Sequence, residues 1–288
     1  MELNEDRKKI VARIEEYERE GKWDIDVEDD PPAPQLLPNK VDYLNKKLSS
    51  KFGTWIANKV AVSYFDKEIK QRRLIIDKIV GMENYDKVAN MGVVITCNHF
   101  NIYDNYVVFK ALQKKLGKKR LYKVIREGNY TNFPGIFGYM FKHCNTLPLS
   151  SNFETMKLFM NATKILLNRG EKILIYPEQA MWWNYKKPRP LKSGAFKIAV
   201  SGDAPILPCF ITMTDSDKPA PDGSMYQRYT LHILPAIFPD KTKSAKEQTQ
   251  ELSMQNYEMW KMVYEKTYGI KLEYSKKEDW QIFFSLYN

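Results

Sequence analysis

The sequence predicts an α/β fold: a mostly parallel or mixed central sheet flanked by helices, with an N-terminal helical segment and a C-terminal helix. Two observations carry this. Short, β-branched, almost continuously apolar runs such as GVVITC (92–97) read as strands buried on both faces. These runs alternate with helix-like segments, the order that builds a sheet covered by helices.

Residues 4–20 read as a charged helix, with Ile10, Ile14 and Tyr17 at helical spacing on an otherwise polar cylinder. The acidic run DVEDD and prolines 31, 32, 34 and 38 stop it, giving an extended linker that closes the first unit at residue 38. Residues 39–85 form a helical N-terminal region. Its period runs through Leu44, Leu48, Phe52, Ile56, Val60 and Tyr64, then Leu74 and Ile75, with Lys46, Lys47, Lys51 and Lys59 between. That pattern suits a helical pair docked on a core or a helix lying on a membrane face. The α/β core spans 86–240. Strand 92–97 leads into helix 103–116, helix 153–168 into strand KILIYP (172–177), and helix 194–201 into strand APILPCFITM (204–213). TLHILPAIF (230–238) is a further strand. The extension 241–288 carries an amphipathic helix over 244–267, with Leu252, Tyr257, Trp260 and Tyr264 on its core side.

Composition narrows the function classes. The 288 residues include 14 Phe, 18 Tyr and 6 Trp, too many aromatic rings for a disordered chain. No stretch reaches the ~18 uninterrupted apolar residues of a membrane span. The first twenty residues are too charged for a secretory leader, so an intracellular protein is expected. Cys97, Cys144 and Cys209 show no metal-ligand spacing with His99, His143 or His232, so no metal and no disulfide are expected. His143 and His232 read as structural. Net charge is +10, unevenly placed: residues 1–35 hold six Lys and Arg against twelve Asp and Glu, leaving 39 against 23 in the rest. A basic body favours a polyanion such as nucleic acid, an anionic membrane or phosphorylated small molecules. Nucleic acid is disfavoured, because the basic residues are scattered and no recognition signature accompanies them.

The segment NHFNIYD (98–104) follows a buried strand and leads into a helix, so it lies at the carboxyl edge of the sheet, where α/β proteins place ligands. Within one regular helix, residues five apart do not share a face. His99 and Asp104 can meet only if His99 occupies the turn and Asp104 the first helical turn. The carboxylate then holds one ring nitrogen and leaves the other free to accept a proton.

NHFNIYD, YPE (176–178), LKSGAF (191–196) and APILPC (204–209) occur in order. This set resembles the glycerolipid (lysophospholipid and acylglycerol-phosphate) acyltransferase family over roughly residues 88–240. The resemblance implies that His99 is the general base for an acceptor hydroxyl and that Asp104 orients it. The hydroxyl would attack the thioester of acyl-CoA or acyl carrier protein, a co-substrate, with no resident cofactor and no covalent acyl-enzyme. Asn98, Glu178 and Arg126 would contribute to substrate binding, with Lys192 and Gly194 near the entrance. The implied partners are a lipid acceptor, an acyl thioester donor and a membrane surface. The implied location is cytoplasmic, at the inner face of the cell membrane.

Two departures bear on the acceptor. After YPE the family has Gly-Thr-Arg, where Gln179, Ala180 and Met181 stand here, and Ser150 occupies the place of a second arginine. Both arginines are understood as phosphate ligands. Arg126, Lys186, Lys187 and Arg189 could compensate, or the acceptor could be a sugar, an amino alcohol or a lyso-glycolipid. A catalytically silent lipid-binding relative is the competing reading.

Apolar stretches complete the picture. Phe133, Ile136, Phe137 and Met140 fall in a segment, 129–152, whose one charge is Lys142. They would line an acyl groove or touch the membrane, or else pack in the core. Trp182 and Trp183 cannot both point inward from one strand, and basic residues follow them, which predicts contact with a membrane headgroup layer.

Overall fold

In the computed structural model, residues 2–29 and 32–275 are described. Positions 30–31 of the predicted linker and 276–288 of the C-terminal extension lie outside the described residues. Strand β2 (Val93–Thr96) shows why its sequence is continuously apolar. Val94 packs into the layer on one face of the sheet, and Val93 and Ile95 into the layer on the other. Strand β5 (Lys172–Ile175) does the same, with Ile173 and Ile175 on one side and Leu174 on the other. A strand with both faces covered is apolar in its interior, and the polar residues here, Thr96 and Lys172, fall at strand ends and are hydrogen-bonded.

The full sheet has seven strands in the order β1-β7-β6-β2-β5-β3-β4. The others are β1 (Ile75–Val80), β3 (Leu121–Ile125), β4 (Thr146–Pro148), β6 (Ile206–Pro219) and β7 (Met225–Ile233). Every neighbouring pair is parallel except the β6–β7 hairpin. One face is covered by α7 (Phe153–Asn168), α8 (Gly194–Ser201) and α9 (Ala245–Tyr268). The other is covered by α2 (Leu48–Lys70), α3 (Met82–Asp86) and α4 (Asp104–Leu112). Two short helices, α5 (Glu127–Thr131) and α6 (Gly135–His143), fill the crossover between β3 and β4. Local chemistry sets the helix ends. Asn152 caps α7, and Ser244 with Glu247 forms a reciprocal capping box on α9. Gly92 lets α7 approach β2, since a Cβ there would lie 2.0 Å from the Leu167 carbonyl oxygen.

The expectation of one helical period through 40–80 is corrected. Helix α2 begins at Leu48, and Ile75 opens strand β1, which pairs with β7 from Arg228 onward. The apolar spacing at Leu74 and Ile75 belongs to a strand on the sheet edge. Strands β3 and β4, absent from the sequence reading, are short, and β3 carries Lys123 at its centre. Strand β7 starts at Met225, ahead of the expected 230.

The N-terminal helix α1 (Glu5–Glu20) and the segment after it are packed against the body. Ile14 and Val27 are buried in a cluster with Trp182. The Asn4 amide donates to the Asp222 carbonyl on the β6–β7 hairpin (2.9 Å). Further along, Glu127 Oε1 accepts from the amide of buried Leu36 (2.6 Å). Ser150 Oγ lies 2.8 Å from both Glu127 Oε1 and the Leu36 carbonyl oxygen, so the position where the family has an arginine is tied to an acid.

Acid should loosen this structure. Burial lowers the pKa of His143 and of His232 from the ordinary 6.5. Burial pushes the Glu127 carboxyl up, but the Leu36 amide and the two serines outweigh it and hold the pKa below 4.5. In all three cases the unfolded chain binds protons more readily, so stability falls with pH. The loss begins below 6.5 with the histidines and continues below 4.5 with Glu127. The midpoint of chemical denaturation should therefore decrease steadily from pH 7 to 4; a midpoint that rises on acidification contradicts these environments.

Candidate active site

Strand β2 ends at Thr96, and the chain turns through Cys97–Tyr103 before α4 starts at Asp104. Three anchors fix this turn. Asn98, buried, accepts from the Ile211 amide (2.8 Å) and donates to the Ile211 carbonyl (3.0 Å), tying the turn to β6. The His99 amide donates to Glu178 Oε2 (2.9 Å). The His99 carbonyl accepts from the Trp182 amide and from Arg189 Nη2, both at 3.2 Å.

The turn brings His99 and Asp104 together. His99 Nδ1 lies 2.7 Å from Asp104 Oδ2, which also accepts from the Phe100 amide at 3.2 Å. Asp104 Oδ1 accepts from the Tyr176 hydroxyl at 2.7 Å, and the Tyr176 ring stacks on the imidazole at 4.1 Å between centroids. Asp104 is fully buried while His99 is partly exposed. With the Nδ1 proton directed at the carboxylate, Nε2 is the acceptor nitrogen, and it has no hydrogen-bond partner among the described residues. Burial and the Asp104 charge raise the Tyr176 pKa well above 10, so the phenol stays a donor. Sequence reasoning missed Tyr176, although it directly precedes the Pro-Glu of the matched block.

His99 lines a cavity of about 700 Å³. Its apolar lining includes Phe65, Phe109, Phe137 and Met140 from α2, α4 and α6 and Cys144 just after α6, and Lys123 of β3 lines it too. Burial lowers the Lys123 pKa from its ordinary value. The rim carries Asp24, Asp26, Glu28, Arg126, Gln179, Lys192 and Gly194. Phe133 also borders the space.

Several expectations are corrected by these positions. Asn98 and Glu178 do not line the cavity; both are buried, Asn98 spent on the backbone of Ile211 and Glu178 on two backbone amides and the Arg189 guanidinium. Glu178 Oε1 accepts from the Arg189 amide (2.8 Å), and Oε2 pairs with Arg189 Nη2 (3.0 Å). Arg189, offered above as a phosphate ligand, is therefore buried and committed, donating as well to the carbonyls of Trp23, His99 and Ala180. Lys187 is paired with buried Glu18 at 2.6 Å. Trp182 is fully buried, stacked on Trp23 and donating from Nε1 to the Ile25 carbonyl, so it contacts no headgroup layer. Trp183 is half-buried beneath the Arg7 guanidinium, 4.5 Å from its ring centroid. Ile136 is exposed and lies outside the cavity, which removes it from the acyl groove but not from the alternative of membrane contact. Neither tryptophan could be assigned from its neighbours in sequence, because the groups that cover them come from residues 7–27. Gln179 adopts φ 67°, the left-handed region that a glycine enters freely, which is what the family's Gly-Thr-Arg provides at this turn.

Among the described residues no group of three His, Cys, Asp or Glu could hold a metal ion. Nor is any helix among them long and apolar enough to cross a membrane.

Residues 77–212 match the family described as Acyltransferase, a stretch that runs from β1 into β6 and contains His99, Asp104, Tyr176, Glu178 and Arg189. That stretch is similar to the acyltransferase family, and the protein is an acyltransferase enzyme. Its fold is similar to that of the 1-acyl-sn-glycerophosphate (LPA) acyltransferase PlsC from Thermotoga maritima, with a TM-score of 0.52 at 16% identity. That likeness covers 80% of this chain and 87% of the other. No curated protein sequence matches the chain.

Proposed function

We propose that this enzyme moves a fatty acyl group from an acyl-CoA or acyl carrier protein thioester to a hydroxyl of a lysophospholipid-like or other polar-lipid acceptor. The observation that carries the reading is the His99–Asp104 pair, 2.7 Å apart, with His99 on the wall of a largely apolar cavity. His99 Nε2 takes the proton of the acceptor hydroxyl as its oxygen attacks the thioester carbonyl. Asp104 stabilises the imidazolium that forms, and Tyr176 keeps the carboxylate in place. Collapse of the tetrahedral species breaks the C–S bond, and the imidazolium returns its proton to the departing thiolate. The amides of His99 and Phe100 are taken by Glu178 and Asp104, so donors to the oxyanion come from elsewhere on the wall. A thiol nucleophile does not compete: burial raises the pKa of Cys97, Cys144 and Cys209. The donor thioester is a co-substrate, and the mechanism uses no resident cofactor.

The test offers acyl-CoA and acyl carrier protein thioesters with a panel of monoacyl lipids and follows free thiol and diacyl product together. Acceptor-dependent thiol release with matching product supports the reading. Tight lipid binding with no transfer from either donor overturns it in favour of a silent lipid-binding relative.

The membrane-facing side of this proposal is the start of α2. Leu48, Phe52 and Trp55 are 81%, 64% and 55% exposed, too large an apolar face to leave in water without a partner. Phe52 and Trp55 stack, and the Lys59 ammonium sits 3.9 Å from the Trp55 ring centroid. Rings beside lysines suit an anionic leaflet, here the inner face of the cell membrane. Each buried aromatic contributes about 1.5–3 kcal/mol, so a Phe52→Ser/Trp55→Ser variant should lose well over tenfold in binding to anionic vesicles. Unchanged co-sedimentation would place the membrane contact on another face.

A further inference from the structure

The segment from Trp23 to Glu28 crosses the rim of the active-site cavity, and each of its three carboxylates is paired with a cation. Lys192 Nζ pairs with Asp24 at 2.9 Å, and the Arg126 guanidinium with Asp26. Glu28 is bound by Arg7 at 3.0 Å. The segment is fastened between these pairs. Val27 is fully buried, the Trp23 carbonyl accepts from Arg189 Nη1 (2.9 Å), and the Ile25 carbonyl from Trp182 Nε1 (2.9 Å). Because Arg189 and Trp182 lie in the same loop that holds His99, the strap is part of the active-site wall and not a loose tail. Burial pushes the Asp24 carboxyl up, but the hydrogen bond and charge of Lys192 outweigh it and hold the pKa below 3.8, so the pair stays charged at neutral pH.

We infer that this strap is a specificity element, which turns away a phosphomonoester and selects an acceptor with an uncharged, hydroxyl-rich headgroup, such as a sugar or other polyol. The inference rests on the acyl transfer proposed above and names the class of acceptor. A phosphate dianion placed against Arg126 or Lys192 would face Asp24 and Asp26 as well, and like charges at that range are repulsive. Paired charges are nonetheless good partners for hydroxyls, since each pair presents a donor and an acceptor side by side. The amides of Asn101, Asn129 and Gln179 border the same space and add both kinds of group without adding charge.

The experiment compares two acceptors with the same acyl tail, 1-acylglycerol 3-phosphate and 1-acylglycerol carrying a galactosyl head. It uses the full-length enzyme and its Asp24→Asn/Asp26→Asn variant, with folding checked by thermal unfolding. The wild type should prefer the sugar-headed acceptor by about tenfold or more in kcat/KM. The variant, with the Asp24 and Asp26 charges removed from the rim, should shift that ratio toward the phosphate by about tenfold. A wild-type preference for the phosphate, or a ratio the double substitution leaves unmoved, overturns the inference while leaving acyl transfer standing. Absence of transfer to either acceptor from either thioester donor overturns the proposed reaction itself, and this inference with it.

Discussion

Replacing His99 with alanine should lower acyl transfer by about 10²–10⁴-fold, the range a positioned general base contributes. Among the described residues the ring's one hydrogen bond is to Asp104, and the backbone of residue 99 keeps its ties to Glu178, Trp182 and Arg189. The variant should therefore fold and bind lipid as before, with the loss in kcat. Asp104→Asn tests the partner: the amide cannot accept from Tyr176 and hold Nδ1 as a carboxylate does, so transfer falls while the cavity stays open. Steady-state kinetics with a thermal-unfolding control separates these effects from misfolding. Undiminished turnover in His99→Ala removes the base from the mechanism.

The second large effect is on stability. Arg189→Leu should cost about 3–5 kcal/mol, because it strands the Glu178 carboxylate without its counter-charge in a buried site. The loss also removes a donor from the Trp23 and Ala180 carbonyls, while the His99 carbonyl keeps the Trp182 amide. Removing both charges in Glu178→Leu/Arg189→Leu should recover only part of the cost. The amides of His99 and Arg189 would still lack an acceptor, and each such group is penalised. Urea denaturation measures both variants; a loss under about 1 kcal/mol for Arg189→Leu would mean that water reaches the pair.

These two effects divide along the line between what the sequence makes legible and what it does not. The central strands are legible because burial on both faces leaves a local mark: β2 and β5 carry apolar residues at successive positions. The meeting of His99 with Asp104 is legible too, since the spacing admits contact only across a strand-to-helix turn. Strands β1 and β3 are not, because charges interrupt their apolar runs at Asp77, Lys78 and Lys123, and β4 is not because it has only three residues. Glu178, Arg189 and Trp182 escape for a different reason. Their surroundings are made by partners far off in sequence: Trp182 by Ile25, and Arg189 by Trp23. A tryptophan beside lysines looks the same in one dimension whether it faces a bilayer or an N-terminal strap.

In the proposed reaction the acceptor hydroxyl attacks the thioester directly, with His99 as base and no acyl group parked on the protein. Intact-protein mass spectrometry during incubation with acyl-CoA or acyl carrier protein thioester, first without and then with a monoacyl acceptor, reads this out. The protein mass should stay unchanged in both cases, with diacyl product and free thiol appearing together only when acceptor is present. A mass gain equal to one acyl group before acceptor is added, discharged when it arrives, would contradict direct transfer.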